Sequence, residues 1–469
     1  MKMAVVGLDS ADWTLLDRWL HYLPHIASVR REGVSGPLTS CKPPVTIPAW
    51  KCYSTGKNPG KLGVFWFAYP DFSQRTLQLN LPGGLRGELW DFIANSIVVN
   101  TPGTFPARDI DGIMIAGHPC PDDQPFVTPS WAIQELGDYR VNSRVYAGDP
   151  AFPEEAMSLI RSRFEAFHRY ASRFDFGQVT VFYIDELHHF HGSDSVVLDA
   201  WRLIDEEIGR VMEVADNVAL VSDHGSGPLR EFVNVVPSLR EMGAFRSRRS
   251  SGRTWSSLIR RALQTAPPTY RNMGERFLPT KFTDAIRSHL GPMDGLLPSP
   301  EQFQARVDWS SFILPLNQGL IYRNPNPRHT RVSLRDVEDV LKKIPGVDRV
   351  WRKEEIYDGP LLASAPDIWI EGEPGKEITA RFDEDWETKR PERGEDWIVN
   401  HRADGIFGFL GKDVEPADVG PALIYDMCPT ILSFFDIPPP STVDGTALRI
   451  VGDVSGGDSR GGPDTRAAS

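Results

Sequence analysis

Short apolar runs alternate with longer stretches of helical periodicity in the first half of the chain. Buried parallel strands, which are covered on both faces, have this short and wholly apolar pattern. The spacing of apolar residues between the runs predicts amphipathic helices. The predicted strands are Met3–Leu8, 97–99, 113–116, 179–184 and 218–221, and the main predicted helices are 13–32, 153–170 and 196–215. This alternation predicts an α/β fold with a doubly wound, mostly parallel sheet between layers of helices.

The second half of the chain departs from this pattern. Residues 246–276 contain eight arginines and one acidic residue, which indicates an inserted cap with a basic amphipathic helix. A helix at 332–344 and strands at 347–352 and 367–371 predict a small α+β unit. We therefore expect a catalytic core made of residues 1–240 and 331–451, an Arg-rich cap region at 241–330, and a disordered tail at 452–469.

Composition narrows the class of protein. The 469 residues carry a net charge of −12, which argues against a general nucleic-acid binder. The four cysteines form no CxxC pair, so we expect neither a zinc knuckle nor a disulfide framework. No apolar run approaches the ~20 residues of a membrane helix, and the N-terminus has no signal-peptide core. These features favour a cytoplasmic protein without a membrane span.

Acidic residues follow three of the predicted strands. Asp9, Asp185 and Asp223 would share the carboxyl edge of the sheet, where α/β proteins place their functional residues. Carboxylates at such close range repel one another unless a cation lies between them. Histidines accompany two of them: His224 follows Asp223 directly, and three lie shortly after Asp185 at positions 188, 189 and 191. The pattern predicts a site for divalent metals.

The order of these motifs resembles the alkaline phosphatase superfamily, most closely its type I phosphodiesterase/nucleotide pyrophosphatase branch. The matching segments cover most of the chain: GLDSADW, PPVTIPAWKCYSTGKNPGKLGVF, VTVFYIDELHHF, VALVSDHGSGPLREFVN, HRADGIFGFLG and YDMCPTILSFFDIPPPSTVDGTAL. The resemblance implies an alkaline phosphatase-like core and a hydrolase that acts on phosphate esters.

Residue by residue, the resemblance implies two metal ions and a threonine nucleophile. The nucleophile would be Thr46, in TIPAW. One metal would be held by Asp9, Thr46, Asp223 and His224, and the other by Asp185, His189 and His401, with His189 chosen by the family's DxxxH spacing. His401 lies in a Gly-rich stretch that we interpret as a loop. Such mixed nitrogen and oxygen ligands favour zinc, with manganese as the alternative.

Two positions depart from the family pattern. Phe67 stands where family phosphodiesterases commonly carry a phosphate-contacting asparagine, and Leu62 replaces the usual histidine of an HG pair. Lys51, Lys57 or the Thr46 amide could supply the missing contacts. The aromatic rings of Trp66 and Phe67, with their neighbours Phe65 and Tyr69, could stack on a flat leaving group or simply pack the cap.

The resulting hypothesis is a two-metal hydrolase that cleaves phosphodiester or nucleotide-type pyrophosphate bonds through a phosphothreonine intermediate. A phosphomonoesterase acting on a small metabolite or nucleotide is the alternative, followed by a non-catalytic or lipid-phosphate-binding member of the superfamily. A phosphoglycerate mutase is disfavoured because those enzymes use serine followed by a large insertion, and a sulfatase because no CxPxR-type motif is present. The expected partner is a small phosphate ester; a homo-oligomer is left open.

Overall fold

The structure is a computed structural model of the 469-residue chain. It describes residues 1–121, 124–247, 300–328, 331–393, 396–417 and 419–451. The predicted basic helix within 246–276 and the predicted disordered tail at 452–469 therefore lie almost wholly or wholly outside the described residues.

Strands in the described residues are short. In chain order they are β1 (Met3–Leu8), β2 (Val34–Thr39), β3 (Ala68–Asp71), β4 (Thr76–Leu79), β5 (Ser96–Val99), β6 (Gly112–Ile115), β7 (Val127–Thr128), β8 (Phe176–Val181), β9 (Asn217–Val221), β10 (Gly225–Pro228), β11 (Glu231–Asn234), β12 (Ile313–Leu316), β13 (Leu320–Arg323), β14 (Val347–Arg352), β15 (Ile368–Gly372), β16 (Lys376–Thr379), β17 (Thr388–Lys389), β18 (Val399–Arg402), β19 (Asp404–Gly411) and β20 (Ala422–Leu423).

Helices of very different length separate these strands. They are α1 (Trp13–Trp19), α2 (Pro24–Glu32), α3 (Thr46–Thr55), α4 (Pro59–Leu62), α5 (Leu89–Phe92), α6 (Phe152–Ala171), α7 (Tyr183–His191), α8 (Ser195–Val214), α9 (Val236–Glu241), α10 (Pro300–Arg306), α11 (Leu334–Leu341), α12 (Lys353–Ile356) and α13 (Met427–Ser433).

A nine-stranded sheet forms the centre of the fold, in the order β20-β2-β19-β9-β1-β8-β5-β6-β7. The strands β9, β1, β8, β5 and β6 run parallel to one another, whereas β19 runs antiparallel to both β2 and β9, and β7 runs antiparallel to β6. All six residues of β1 are buried, as are all six of β8. The predicted doubly wound, mostly parallel α/β sheet is thus confirmed.

Helices cover both faces of this sheet, so that its apolar side chains divide between two buried clusters. Alternate residues of β1 point to opposite sides: Val5 joins the cluster that contains α3 and α13, and Val6 joins the one that contains α6 and α8. Because a strand reverses its side chains at every residue, a central strand must be apolar throughout to fill both clusters.

Most predicted elements agree with the structure to within a few residues, and two differ for a clear reason. The predicted helix 13–32 is divided into α1 and α2, because Pro24 starts a new helix at its first position after a short 3-10 turn, Leu20–Tyr22. The predicted strand 179–184 is shifted: β8 begins at Phe176 and ends at Val181, and the chain then enters α7.

A smaller sheet lies apart in sequence from the central one and has the order β12-β13-β15-β14. Its strands β14 and β15 and the helix α11 are the elements predicted for the small α+β unit. The antiparallel pairing of β13 with β15 joins residues from both sides of position 331, where the sequence predicted the cap to end.

Two further observations concern membrane-spanning helices and cysteines. Within the ranges that the structure describes, no helix is both long and apolar enough to cross a membrane. All four cysteines are buried, and no disulfide joins them.

Candidate active site

The carboxyl edge of the central sheet brings together the acidic residues of two neighbouring strands. Asp9 directly follows β1, and Asp223 and His224 follow β9 after one serine. The strands are parallel, with Gly7 of β1 opposite Val221 of β9, so their ends lie at the same level. Asp9, Asp223 and His224 are fully buried there.

The third acidic residue lies on a helix, not at the end of a strand as the sequence predicted. Asp185 is in the first turn of α7, and His189 follows one turn later. Residues four apart share one face of a helix, which is the physical basis of the DxxxH spacing. His189 Nε2 accordingly lies 3.1 Å from Asp185 Oδ2.

His401 lies on a strand, whereas the sequence predicted a loop. It belongs to β18, which pairs antiparallel with β10, with His401 opposite Ser226. Because β10 begins directly after His224, this pairing returns the distant histidine to the sheet edge. The ring of His401 stacks on that of His224, with centroids 3.9 Å apart.

These residues form two adjacent clusters that could each hold a cation. In the first, made of Asp9, Asp223 and His224, one ligand atom from each residue lies within 4.8 Å of the others. The second, made of Asp185, His189 and His401, meets the same condition. Because His224 of the first cluster stacks on His401 of the second, the two clusters are in direct contact.

The predicted nucleophile lies beside the first cluster. Thr46 is the first residue of α3, is almost fully buried, and places Oγ1 3.5 Å from His224 Nε2. Amide N–H groups in the first turn of a helix have no partner within the helix, and together with the helix dipole they favour an anion. Pro48, which has no N–H group to satisfy, is tolerated in this first turn.

The donor atoms fit divalent cations. Nδ1 of each histidine faces a backbone carbonyl: Val399 for His189, Pro44 for His401 and Gly225 for His224, at 2.8, 3.0 and 3.1 Å. A proton on Nδ1 leaves Nε2 with a free lone pair.

Two further features of the candidate site favour a positive charge between these side chains. His189 Nε2 and His401 Nε2 lie only 3.2 Å apart, so two lone pairs would face each other. In addition, among the residues that the structure describes, one oxygen each of Asp9, Asp185 and Asp223 is buried and has no hydrogen-bond partner. Buried polar atoms rarely lack a partner, and one cation in each cluster would satisfy these oxygens.

The pKa values of these carboxyl groups reflect the same crowding. Burial and the charges of Asp223 and Asp185 raise the pKa of Asp9 well above its usual value. Burial and Asp185 likewise raise the pKa of Asp223. For Asp185, burial is outweighed by His189 and His401, and its pKa lies well below the usual value.

His224 remains neutral for the same reason. Its burial and the adjacent His401 lower its pKa well below the usual histidine value. A neutral imidazole is the form that binds a metal.

The lysines predicted to contact substrate have other surroundings. Lys51 is buried on α3, and its Nζ lies 2.7 Å from Glu88 Oε1. Lys57 follows Gly56, which ends α3, so it lies a helix length of about 15 Å from Thr46. In the part of the chain that the structure describes, neither ammonium group bonds to a member of the two clusters. A substrate contact from Lys51 would require its ion pair with Glu88 to break.

The predicted aromatic contacts favour the packing alternative. Trp66 and Phe67 are 1% and 3% exposed and belong to the core cluster of the central sheet. The indole N–H of Trp66 donates to Gln318. Their faces are therefore occupied by the protein itself.

His188 and His191 differ from His189 in their contacts. His188 accepts a hydrogen bond from the Trp201 indole at Nε2 and has Ser226 Oγ 3.2 Å from Nδ1, so both ring nitrogens are used. His191 is only partly buried, near Asp194.

Sequence reasoning missed three residues that contact the ligands. The Trp50 indole donates to Asp9 Oδ2 at 3.0 Å, the Ser10 amide donates to Asp223 Oδ1 at 3.2 Å, and the Trp397 ring stacks on His189. Ser10 has a positive φ of 63°, which turns its amide toward Asp223. Of these three residues, only Trp50 could have been found from the sequence, because it stands one helical turn after Thr46 in the same motif.

Solved structures with this architecture define the class of fold. Phosphonoacetate hydrolase from Sinorhizobium meliloti 1021 aligns with a TM-score of 0.58 at 15% identity, covering 93% of this chain and 94% of that one. Human ectonucleotide pyrophosphatase/phosphodiesterase 5 aligns at 0.52 and 12%, covering 95% and 97%, and a mutant of the alkaline phosphatase PafA at 0.54 and 14%, covering 96% and 99%. The fold is alkaline phosphatase-like.

The family follows from the sequence profile of type I phosphodiesterases/nucleotide pyrophosphatases, which matches residues 3–399. The chain belongs to this family, whose members hydrolyse phosphate esters. The resemblance noted from the motifs is thereby confirmed. None of the curated protein sequences matches this chain.

Proposed function

We propose that this protein is a two-metal phosphohydrolase that cleaves phosphodiester or nucleotide-type pyrophosphate bonds through a phosphothreonine intermediate on Thr46. The observation that carries the proposal is the position of Thr46 Oγ1, 3.5 Å from His224 Nε2, at a helix N-terminus beside two clusters of metal ligands. A hydroxyl, an anion-binding helix end and unsatisfied carboxylates are the parts that phosphoryl transfer to an enzyme side chain requires.

The ligand assignment keeps the two groups of the sequence hypothesis. Asp9, Thr46, Asp223 and His224 would hold one cation. The other would be held by Asp185, His189 and His401. Two divalent cations, zinc or alternatively manganese, would lower the pKa of the attacking hydroxyl and neutralise charge on the phosphoryl oxygens.

The chain itself supplies the nucleophile and its orientation. Thr46 Oγ forms a bond to phosphorus while the bond from phosphorus to the leaving-group oxygen breaks, and the hydroxyl proton is released. Water then attacks the phosphothreonine, which restores Thr46 and releases the phosphate product. Burial of Thr46 and its place at the start of α3 hold Oγ1 in one position for both displacements.

The substrate class rests on the family name and on the surroundings of the site. A type I phosphodiesterase/nucleotide pyrophosphatase profile covers most of the chain, which supports a diester or pyrophosphate substrate. A phosphomonoesterase remains the competing hypothesis. The aligned structures, at 12–15% identity, indicate the fold alone.

The test compares a bis-aryl phosphodiester with the matching aryl monoester. The protein is treated with chelator, restored with zinc or manganese, and assayed as wild type, Thr46→Ala and Thr46→Ser. We expect metal-dependent turnover that prefers the diester, is lost in Thr46→Ala by about 10⁴-fold or more, and partly returns in Thr46→Ser.

Thr55→Ala is the matched control, because Thr55 is a buried threonine at the opposite end of the same helix. It should retain turnover. Preference for the monoester would select the competing hypothesis, and full activity of Thr46→Ala would show that another group is the nucleophile.

A further inference from the structure

Trp397 is the aromatic residue stacked on a proposed metal ligand. Its ring lies over His189 with centroids 3.6 Å apart and planes inclined by 13°, which is close to parallel. The indole is half-buried and packs against the cluster that contains α6 and α8. No motif in the sequence marks it, and none of the ligand assignments includes it.

The residues after Trp397 hold His189 from other directions. The Ile398 amide donates to the His189 carbonyl at 2.8 Å, and the Val399 carbonyl accepts from His189 Nδ1 at 2.8 Å. Two residues further on, His401 supplies the next ligand of the same cluster. One five-residue segment, 397–401, thus holds one ligand and provides another.

The two side-chain restraints on the His189 ring act at right angles. A hydrogen bond at Nδ1 fixes the direction of the ring within its plane, whereas a parallel indole fixes the tilt of that plane. Together they direct Nε2 toward Asp185 Oδ2 and His401 Nε2. The segment is itself anchored, since the Leu229 amide donates to the Ile398 carbonyl next to the β10–β18 pair.

We infer that Trp397 is a positioning residue for His189, and that its stacking raises the affinity of the Asp185/His189/His401 site for a divalent cation. The inference rests on the proposed function, because it requires that this cluster bind metal. Coordination withdraws electron density from an imidazole, and an electron-rich indole face attracts such a ring more strongly than it attracts a neutral one. The stack therefore favours the metal-bound form.

The experiment measures zinc binding by competition with a chromophoric chelator, using the full-length protein after removal of metal. The variants are Trp397→Leu, which keeps apolar volume but not the stack, and Trp397→Phe, which keeps an aromatic face. Trp131→Leu is the matched control, since Trp131 is 44% exposed on a 3-10 helix outside both clusters.

We expect the wild type to bind two zinc ions. In Trp397→Leu one of the two dissociation constants should rise about tenfold, the scale for residues that orient a metal ligand, while the other stays unchanged. Trp397→Phe should return close to wild type, and Trp131→Leu should not differ from it.

The outcomes separate the inference from the function on which it rests. Two unchanged constants in Trp397→Leu, or an equal change in both, would overturn the positioning role and leave the proposed function intact. Failure of Trp397→Phe to restore binding would overturn the role of stacking. A wild type that binds no zinc and hydrolyses neither phosphate ester would overturn both proposals together.

Discussion

Two regions of this protein bury several charged groups, and they balance those charges in opposite ways. Behind the nucleophile helix, Lys51 lies 2.7 Å from Glu88 and Arg108 lies 3.1 Å from the other oxygen of Glu88. Arg108 also forms a bidentate pair with Asp91 at 2.7 and 2.8 Å. Two positive and two negative groups cancel, and every carboxylate oxygen of this ion-pair network has a donor.

At the sheet edge the charges do not cancel. Asp9, Asp185 and Asp223 meet three histidines whose Nδ1 atoms face backbone carbonyls, and within the described ranges three carboxylate oxygens have no hydrogen bond. A buried ion-pair network closed on itself stabilises one conformation, whereas an open set of ligands needs something from outside the chain. We infer from this difference that the sheet-edge cluster serves the proposed chemistry and that the ion-pair network supports the fold.

The largest expected effect separates the two regions by activity. Asp223→Asn keeps the shape of the side chain but removes one ligand charge, so metal-dependent hydrolysis should fall by about 10³-fold or more, because residues that act as a unit fail together. The assay is initial rate on the diester with saturating zinc. Asp91→Asn in the ion-pair network is the comparison, and an equal loss there would contradict the division.

The next effect should appear in the free energy of unfolding, and here the ion-pair network should be the region that is affected. Glu88→Ala leaves the buried ammonium of Lys51 without its partner, which costs about 3–5 kcal/mol in the free energy of unfolding. Urea unfolding followed by circular dichroism measures it. The exposed pair of Asp17 with Arg30 is the control, and Asp17→Ala should lose far less. Similar losses in both variants would mean that the network adds little.

His118 is a buried histidine that belongs to neither of these two regions. Burial lowers the pKa of His118 to about 4, with Asn142 opposing the shift. Because the folded state disfavours the charged imidazole, stability is complete above pH 6.5 and is lost as the pH falls through 6.5 toward 4, by about 2 kcal/mol at pH 5. Urea unfolding at pH 7.5 and 5.0 measures this contribution: the loss of stability between the two pH values should be about 2 kcal/mol smaller in His118→Gln than in the wild type, and in His21→Gln it should equal that of the wild type.

The smallest expected effect tests the comparison in the absence of metal. In metal-free protein at pH 7.5, Asp223→Asn should raise the free energy of unfolding by about 1 kcal/mol, because the pKa of Asp223 is raised and its ionised form is costly in the fold. Urea unfolding of the chelator-treated protein measures this change in the free energy of unfolding and gives its sign. A loss of stability would indicate that the ligand cluster is balanced without metal.

The amino-acid sequence predicted most of the strands and helices that are compared here and several of the residues that meet at the edge of the central sheet. Strand β1 agrees with its predicted bounds to the residue, and α6 and α8 agree to within one residue at each end. Such agreement is expected where burial on both faces, or on one helical stripe, dictates the apolar pattern. The family's DxxxH spacing likewise selected His189, and in the structure His189 Nε2 lies 3.1 Å from Asp185 Oδ2.

The predicted substrate contacts have partners in the structure that lie in distant segments of the chain. The sequence offered Lys51 as a cation close to the nucleophile, whereas in the structure it pairs with Glu88, 37 residues away. For Trp66 and Phe67 the sequence left stacking on substrate and packing open, and their burial favours packing. A side chain's partner depends on which segments pack beside it, and local patterning contains no record of that.

The amino-acid sequence by itself determined the sheet, the helices around it and the types of ligand at its edge, because periodicity and donor chemistry are local properties. Tertiary structure alone decided that His401 lies on a strand beside β10, that Trp397 stacks on His189, and that the charges behind α3 cancel while those in front of it do not. These are contacts between residues that can be hundreds of positions apart in the chain, and they exist only once the chain has folded.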